Sequence, residues 1–285
     1  MKILLKPALS LLALAVLSGC ATTPPGPRID TSLSAKSQSS RAKFIIVHYT
    51  VSDLPSSIKI LTQQVVSSHY LLTNEAEPVT YRLVDETRQA NHAGVSNWKN
   101  YTLLNSSSIG IEIVNPGFTT DANGVRTWYP FPQKQIDALI VLLKDIAARN
   151  NIPPENILGH SDIAPGRKQD PGPMFPWFQL AQAGLIQWPD AARVTQLKPV
   201  YLAQLPDIVW FQKKLAQFGY ATPQTGELDT ATRNVLISFQ MKYRPAFIDG
   251  TPDAETAALL DTLTTPSTPA PAPAATPAQV AAKAP

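Results

Sequence analysis

Four side chains able to bind a metal or move a proton lie in two separated parts of the chain. The stretch 159–172 carries His160, Lys168 and Asp170 on one irregular loop. Imidazole nitrogen and carboxylate oxygen are ordinary zinc ligands, and a catalytic zinc site has three protein ligands with one position left for solvent. His48, which ends an apolar run, is the candidate for the third ligand. These residues predict a metal site assembled from distant segments.

A simpler interpretation of the same loop needs no metal. His160 would then cap a turn, and Asp170 would begin an Asp-Pro-Gly turn, because these residue types favour turns. The loop taken alone leaves both interpretations open. The other motifs of the chain favour the metal.

A carboxylate also lies in the middle of a predicted strand. In the stretch 108–114, isoleucine occupies every second position, which places Gly110 and Glu112 together on the opposite face. A glycine inside a strand opens space beside it, so Glu112 is a candidate functional group. The alternative is a glutamate on a solvated face of the sheet.

The elements that must position these residues alternate between strands and helices. Apolar and polar alternation places His48 on the same strand face as Phe44 and Ile46. The predicted strands are 44–49, 67–72, 80–84 and 108–114, and the predicted helices of this part are 133–149 and 177–183. Such alternation around one sheet is typical of the α/β class.

The C-terminal part has a different pattern. The weak pattern of residues 193–205 predicts an interdomain linker, and apolar stripes beyond it predict a small all-α domain at 206–263. Within this domain, 226–232 and 250–256 share the spacing Gly-x-x-Asp-x-x-Thr, with the Asp placed as a helix N-cap. This internal repeat predicts two similar turn-helix pieces packed together. The Pro- and Ala-rich residues 264–285 are predicted to be disordered.

The N-terminus predicts export and anchoring. A basic start and an apolar run too short to span a membrane end in Leu17-Ser18-Gly19-Cys20. This tetrapeptide resembles a bacterial lipoprotein signal, which implies a signal peptide at 1–19 and lipidation of Cys20. Because Ala21 follows instead of aspartate, the resemblance implies an outer-membrane lipoprotein facing the periplasm. The alternative is a buried N-terminal helix with an ordinary thiol.

Composition excludes several other classes. Cys20 is the only cysteine, so the chain has no disulfide framework and, once lipidated, no thiolate ligand for a metal. Without Lys2 and Lys6 of the signal, 22 basic residues face 21 acidic ones, and this balance argues against a nucleic-acid partner. The Pro- and Ser-containing residues 20–41 predict a flexible tether.

Five short motifs in chain order resemble one enzyme family. They are Val47-His48-Tyr49-Thr50, Ser67-Ser68-His69-Tyr70, His92-Ala93-Gly94, Ser108-Ile109-Gly110-Ile111-Glu112 and the stretch 160–172. The sequence resembles the zinc N-acetylmuramoyl-L-alanine amidases that share a fold with phage T7 lysozyme and the peptidoglycan recognition proteins. The resemblance implies a catalytic domain at 42–192, built on a central mixed β-sheet flanked by helices.

The resemblance also implies roles for individual residues. It makes His48, His160 and Asp170 the ligands of one zinc ion per chain, with Glu112 as general acid/base and Lys168 as the cation that stabilises the oxyanion.

Three further residues are implied to bind substrate, namely His69, His92 and Arg167. His69 would either line the cleft or fill a polar pocket in the sheet. Arg167 would either hold a substrate carboxylate or be a solvated neighbour of Lys168.

The activity implied is hydrolysis of the amide bond between the lactyl group of N-acetylmuramic acid and L-alanine, in peptidoglycan or its muropeptides, by a monomer acting in cell-wall turnover. The C-terminal repeat resembles a three-helix peptidoglycan-binding module, because Phe239-Gln240 matches its usual Phe-Gln pair. Two alternatives are a non-catalytic peptidoglycan receptor or tether and a metallopeptidase that cuts within the stem peptide. Receptors lack one or more metal ligands, whereas this chain has all three.

Overall fold

The computed structural model describes residues 26–265. The predictions for the signal peptide, for Cys20 and for the tail beyond residue 265 lie outside the described residues. The chain divides into two units, Met1–Gln38 and Ser39–Pro285. The described part of the first unit, 26–38, contains neither helix nor strand and is exposed. Within the described range 26–265, every helix is too short or too polar to cross a membrane.

A five-stranded mixed sheet forms the centre of the second unit, in the order β3-β2-β6-β1-β9. The strands of the chain are β1 (Phe44–Tyr49), β2 (Tyr70–Leu72), β3 (Thr80–Arg82), β4 (Asn97–Trp98), β5 (Tyr101–Thr102), β6 (Ser108–Ile113), β7 (Phe118–Thr120), β8 (Arg126–Trp128) and β9 (Ile157–Gly159). In the central sheet β3 runs antiparallel to β2, and the other pairs are parallel. The predicted α/β class with a mixed sheet is confirmed.

Eight α-helices accompany the sheet among the described residues. They are α1 (Leu54–Gln63), α2 (Gln133–Asn150), α3 (His160–Ile163), α4 (Trp177–Gln182), α5 (Ala191–Ala203), α6 (Ile208–Phe218), α7 (Thr230–Tyr243) and α8 (Ala254–Thr264). Five of them begin after an aspartate whose carboxylate accepts a backbone N–H, which satisfies a donor that the helix itself leaves free. The two N-caps predicted from the repeat, Asp229 and Asp253, are among these five.

The segment predicted as a linker is mostly helical. Helix α5 begins after the cap Asp190, continues through Pro199 and packs against α8. Its side chains are partly or fully exposed, so it lacks the apolar stripe that identifies a helix in a sequence. The hydrophobic pattern of this segment is weak, yet its backbone forms a regular helix over most of the predicted linker.

Both faces of the central sheet are covered. On one face, isoleucines and valines of β1 and β6 pack against the apolar stripe of α2. On the other face, Phe44 and Ile46 join one core cluster with Phe211, Leu236 and Phe239 of the C-terminal helices. The helical module therefore packs on the same face of the sheet that carries His48.

The internal repeat is built around two buried glutamines. In each repeat the side-chain amide donates to a threonine hydroxyl, and its carbonyl oxygen accepts from the repeat's glycine N–H. The sets are Gln212 with Gly226 and Thr232, and Gln240 with Gly250 and Thr256. The first repeat thus also begins with a Phe-Gln pair, Phe211-Gln212, which the sequence comparison of the two repeats missed.

Candidate functional site

Three predicted ligands meet at the carboxyl end of β1. His48 lies near the end of that strand, His160 begins α3, and Asp170 lies on the loop beyond it. The two Nδ1 atoms are 2.9 Å apart, and Asp170 Oδ2 lies 2.9 Å from His48 Nδ1 and 3.0 Å from His160 Nδ1. All three side chains are buried. The structure brings together the residues that the sequence selected from distant segments.

The far side of the His160 ring is fixed by backbone. His160 Nε2 lies 3.1 Å from the carbonyl oxygen of Ala93, which can only accept, so Nε2 carries the proton. In the neutral ring this leaves the lone pair on Nδ1, directed at His48 and Asp170. Arg167 also donates to the carbonyl oxygens of Ala93 and Val95, so it braces this loop.

The His48 ring is fixed by a longer chain of hydrogen bonds. Ser108 Oγ donates to the carbonyl of Leu104 at 2.6 Å and is therefore an acceptor for His92 Nε2 at 3.1 Å. His92 Nδ1 then has a lone pair that accepts from His48 Nε2 at 3.0 Å. In the neutral ring His48 is left with its lone pair on Nδ1. Ligand histidines commonly have their tautomer fixed in this way by a second partner.

Gly110 makes room for this chain. A Cβ added to Gly110 would lie 2.4 Å from Cγ of His92, so any larger residue would displace the imidazole. The space that the sequence predicted beside Glu112 is thus occupied by the ring that orients His48.

The three side chains fit a divalent metal. Their ligand atoms lie within 4.8 Å of one another, and the tautomers described above aim two nitrogen lone pairs and a carboxylate oxygen at one point with no proton among them. Burial first, and then the neighbouring His160, lower the pKa of His48 to about 4, so its imidazole is neutral at pH 7. Two imidazoles and one carboxylate are a donor set typical of catalytic zinc.

The turn proposed as the metal-free alternative does form, since the Gly172 N–H donates to the carbonyl of Gln169 at 2.9 Å. However, the His160 ring does not cap it. The ring instead faces His48 and Asp170 on one side and Ala93 on the other.

A pocket of about 220 Å³ opens beside the three ligands. Glu112 lies in its wall, opposite His48 in the parallel register of β1 and β6. Burial, reinforced by the charge of Asp170, raises the pKa of Glu112 well above its usual value. Its Oε2 is shielded from solvent and has no hydrogen-bond partner among the described residues. A carboxyl group of this kind is suited to proton transfer.

The rest of the pocket contains one cation and a mixed wall. Lys168 lines it on the side of the 160–172 loop. The other lining residues come from the end of β1, from α1, from the loops that follow these two elements and from the loop between β3 and β4: Tyr49, Thr50, Val51, Ser52, Ser57, Ile60, Leu61, Val66, Ser67, Asn91 and His92. The cleft therefore runs from the three ligands towards α1.

The three predicted substrate-binding residues have different positions. His92 lines the pocket but lies behind His48. His69 is fully buried outside the pocket lining, where its Nδ1 accepts from the Gly110 N–H and its Nε2 contacts the carbonyl of Arg88. The structure thus places His69 in the polar interior of the sheet, the second of the two sequence alternatives. Arg167 is exposed at the Ala93 loop and is not part of the pocket wall.

The sequence did not identify Asn105 and Ser108 as part of the site. The side-chain oxygen of Asn105 accepts from the backbone N–H groups of both His92 and Ala93, at 3.0 and 2.7 Å, and so holds the segment that supports His48 and His160, the two candidate histidine ligands. Serine and asparagine are common at many kinds of position, so only the fold reveals these contacts.

Comparison with known proteins agrees with this geometry. A family model described as N-acetylmuramoyl-L-alanine amidase matches residues 38–173, and one described as a peptidoglycan binding domain matches residues 204–260. N-acetylmuramoyl-L-alanine amidase AmiD of Escherichia coli is 42% identical over 259 residues, which are 87% of this chain and 93% of AmiD.

Two solved structures resemble the whole described fold. AmiD from E. coli, in complex with the substrate anhydro-N-acetylmuramic acid-L-Ala-D-γ-Glu-L-Lys, matches with a TM-score of 0.73 and 43% identity, covering 84% of this chain and 94% of that one. AmpDH3 from Pseudomonas aeruginosa, in complex with anhydromuramic pentapeptide, matches with a TM-score of 0.76 and 37% identity, covering 82% of this chain and 96% of that one.

Proposed function

The chain belongs to the N-acetylmuramoyl-L-alanine amidase family, and we propose that it works with one zinc ion held by His48, His160 and Asp170. Its reaction is hydrolysis of the amide bond between the lactyl group of N-acetylmuramic acid and L-alanine in peptidoglycan or its muropeptides. The observation that carries the metal assignment is the convergence of three lone-pair donors on one buried point. A zinc ion held there would supply Lewis acidity, which polarises an amide carbonyl and lowers the pKa of water.

Glu112 moves the proton. Its carboxylate accepts the proton of the attacking water and delivers it to the departing amine, because an amide nitrogen leaves only after protonation. Its raised pKa supports this role, since it brings the carboxyl group closer to neutral pH, where one group can both accept and donate. The uncommitted Oε2 leaves an atom free for the transfer.

Lys168 stabilises the negative charge that develops on the carbonyl oxygen of the scissile amide. Lys168 lines the same pocket as Glu112, and its charge adds a smaller contribution to the lowering of the His48 pKa, which is mainly due to burial and to His160.

The remaining substrate contacts follow from the cleft. His92 lines the pocket and also supports His48, whereas the exposed Val51 and Val66 near α1 are free to contact the stem peptide or the sugar. The structures of AmiD and AmpDH3 in complex with anhydromuramyl peptides support a muropeptide ligand for this cleft.

The chain's organisation is proposed to be that of an outer-membrane lipoprotein facing the periplasm. Residues 1–19 would be the signal peptide, Cys20 the lipidated residue, 20–41 the tether and 42–192 the catalytic domain, followed by the linker 193–205, the peptidoglycan-binding module 206–263 and the tail 264–285. The peptidoglycan binding domain match at 204–260 supports the module. The absence of acidic or basic excess in the mature chain is consistent with a wall polymer as partner and not a nucleic acid.

Mass spectrometry of digested peptidoglycan tests the activity. We expect free stem peptides that begin with L-alanine, formed by the zinc-loaded protein and absent after metal removal. Fragments cut between amino acids of the stem would instead identify a metallopeptidase. Binding to peptidoglycan with no released peptide would identify a receptor.

A further inference from the structure

A second buried polar cluster lies two residues beyond the metal ligand His160. Its centre is Asp162, which is 1% exposed. Tyr220 donates its hydroxyl to Asp162 Oδ1 at 2.6 Å, Lys242 Nζ donates to Oδ2 at 2.9 Å, and the Gly159 N–H donates to Oδ2 at 2.8 Å. Both oxygens of Asp162 are therefore occupied. Two of the three donors belong to the C-terminal helical module.

Lys242 is a buried cation at the boundary between the module and the catalytic domain. It is 4% exposed, its Nζ lies 4.2 Å from the ring centre of Trp177, and it approaches the carbonyl of Ile157 at 3.4 Å. A buried ammonium is costly unless it is paired, and Asp162 is the only carboxylate paired with it among the described residues. The module thus contributes, through Lys242, the cation that pairs with Asp162 in the segment that carries His160.

Helix α7 contacts the same loop at a second point. A Cβ added to Gly166 would lie 2.3 Å from Nδ2 of Asn234, so the loop lies directly against that side chain. Asn234 and Lys242 are eight residues apart, which is about 12 Å along a helix. Helix α7 therefore runs alongside the loop between Asp162 and Gly166, with His160 and Lys168 on either side of the supported stretch.

From these contacts we infer that the C-terminal module is a positioning element of the metal site, in which Lys242 and Tyr220 hold Asp162 and thereby fix the turn that presents His160. This inference rests on the proposed zinc function and adds to the module a role other than polymer binding. The turn from Gly159 to Asp162 is closed by the Gly159 N–H bond to Asp162, and His160 lies inside it. If Asp162 loses its partners, the turn loses the contact that sets the direction of the His160 ring.

The inference gives a different expectation for a shortened chain. If the predicted interdomain linker at 193–205 separated two independent domains, a chain ending near residue 192 would keep its activity. The contacts of Asp162 with Tyr220 and Lys242 predict instead that such a chain binds zinc less tightly, because the turn is then held from one side only.

Zinc affinity of three full-length variants tests the inference. Lys242→Met keeps the aliphatic stem and removes the charge, and Tyr220→Phe removes one hydroxyl. Lys214→Met is the matched control, because Lys214 pairs with Asp261 inside the module at 2.8 Å and does not contact the loop. Dissociation constants are measured by competition with a chelator, and the Co²⁺-substituted proteins provide absorption spectra that report ligand geometry.

We expect Lys242→Met to weaken zinc binding about tenfold and to change the Co²⁺ spectrum, as loss of a supporting contact does elsewhere. Tyr220→Phe is expected to weaken binding measurably but less than Lys242→Met, because it removes a neutral donor instead of a charge, and Lys214→Met is expected to match the wild type. Wild-type affinity and spectrum in a folded Lys242→Met protein would overturn the inference. If Lys242→Met does not fold, wild-type affinity in Tyr220→Phe overturns it. Failure of the wild type to bind zinc would instead reject the proposed function.

Discussion

Two buried clusters lie next to each other on the 159–172 segment, and each contains one aspartate, but the two aspartates have opposite kinds of neighbour. Asp170 faces two imidazole lone pairs, so the cluster of His48, His160 and Asp170 contains acceptors with no donor of its own. Asp162 faces an ammonium, a phenol hydroxyl and a backbone N–H, so its cluster is complete within the chain. The comparison indicates that Asp170, and not Asp162, needs an added cation, because the Nδ1 atoms that face Asp170 carry no proton to donate.

The largest expected effect separates these two aspartates. Asp170→Asn should abolish zinc binding and reduce amide hydrolysis to background, while the metal-free protein stays folded, because the change removes a charge from a cluster of acceptors. Asp162→Asn should leave Lys242 without a counter-ion and cost about 3–5 kcal/mol of unfolding free energy. Zinc content, product release and denaturant unfolding of both variants measure this. Equal loss of stability in the two would mean that the clusters do not differ as described.

The next largest effect is a loss of turnover with no loss of metal binding. Glu112→Gln should lower turnover about 10²–10⁴-fold, because the proton acceptor is lost. Its zinc content should stay at one per chain, since Glu112 is not among the three converging ligands. Steady-state kinetics together with metal analysis measure both quantities, and retained turnover would remove Glu112 from the mechanism.

A smaller effect is expected when the hydrogen-bond chain from Ser108 through His92 to His48 is broken. Ser108→Ala removes the partner of His92 Nε2 and should weaken zinc binding about tenfold, because the His48 tautomer is then no longer fixed. Ser68→Ala is the control, since that buried hydroxyl bonds, among residues 26–265, only to the carbonyl of Gly110. Equal zinc affinities in the two variants would show that this hydrogen-bond chain does not affect the metal site.

The smallest effect is a pH dependence of stability. The pKa of Glu112 is raised in the folded protein, so its contribution to stability is complete below about pH 4.5 and is lost as pH rises through the folded pKa. Metal-free Glu112→Gln should therefore match the wild type in unfolding free energy near pH 4 and exceed it at pH 8. Denaturant unfolding at the two pH values measures this, and a constant difference would argue against a raised pKa.

Much of the catalytic half could be predicted from the sequence. Strand β1 was predicted with the bounds 44–49 because an apolar run leads into His48 and Tyr49 with no turn residue, and the three candidate ligands followed from motifs that resemble one family. A local apolar pattern is sufficient to predict the strand, and short sequence motifs are sufficient to identify the candidate ligands.

The connections between segments could not be predicted. The link from His92 to Ser108 depends on a packing contact across Gly110, and Lys242 has the appearance of a surface charge in an amphipathic helix. Helix α5 was interpreted as a linker because it has no buried residue to create a periodic pattern. In each case the sequence does not reveal which distant segment of the chain packs against the residue or helix in question.

Calorimetric titration of the metal-free protein with zinc tests the central claim most directly. The three converging acceptors predict one saturable site per chain in the wild type and none in Asp170→Asn. A wild-type protein without a saturable site, or an Asp170→Asn protein that still binds one zinc ion with unchanged affinity, would contradict it.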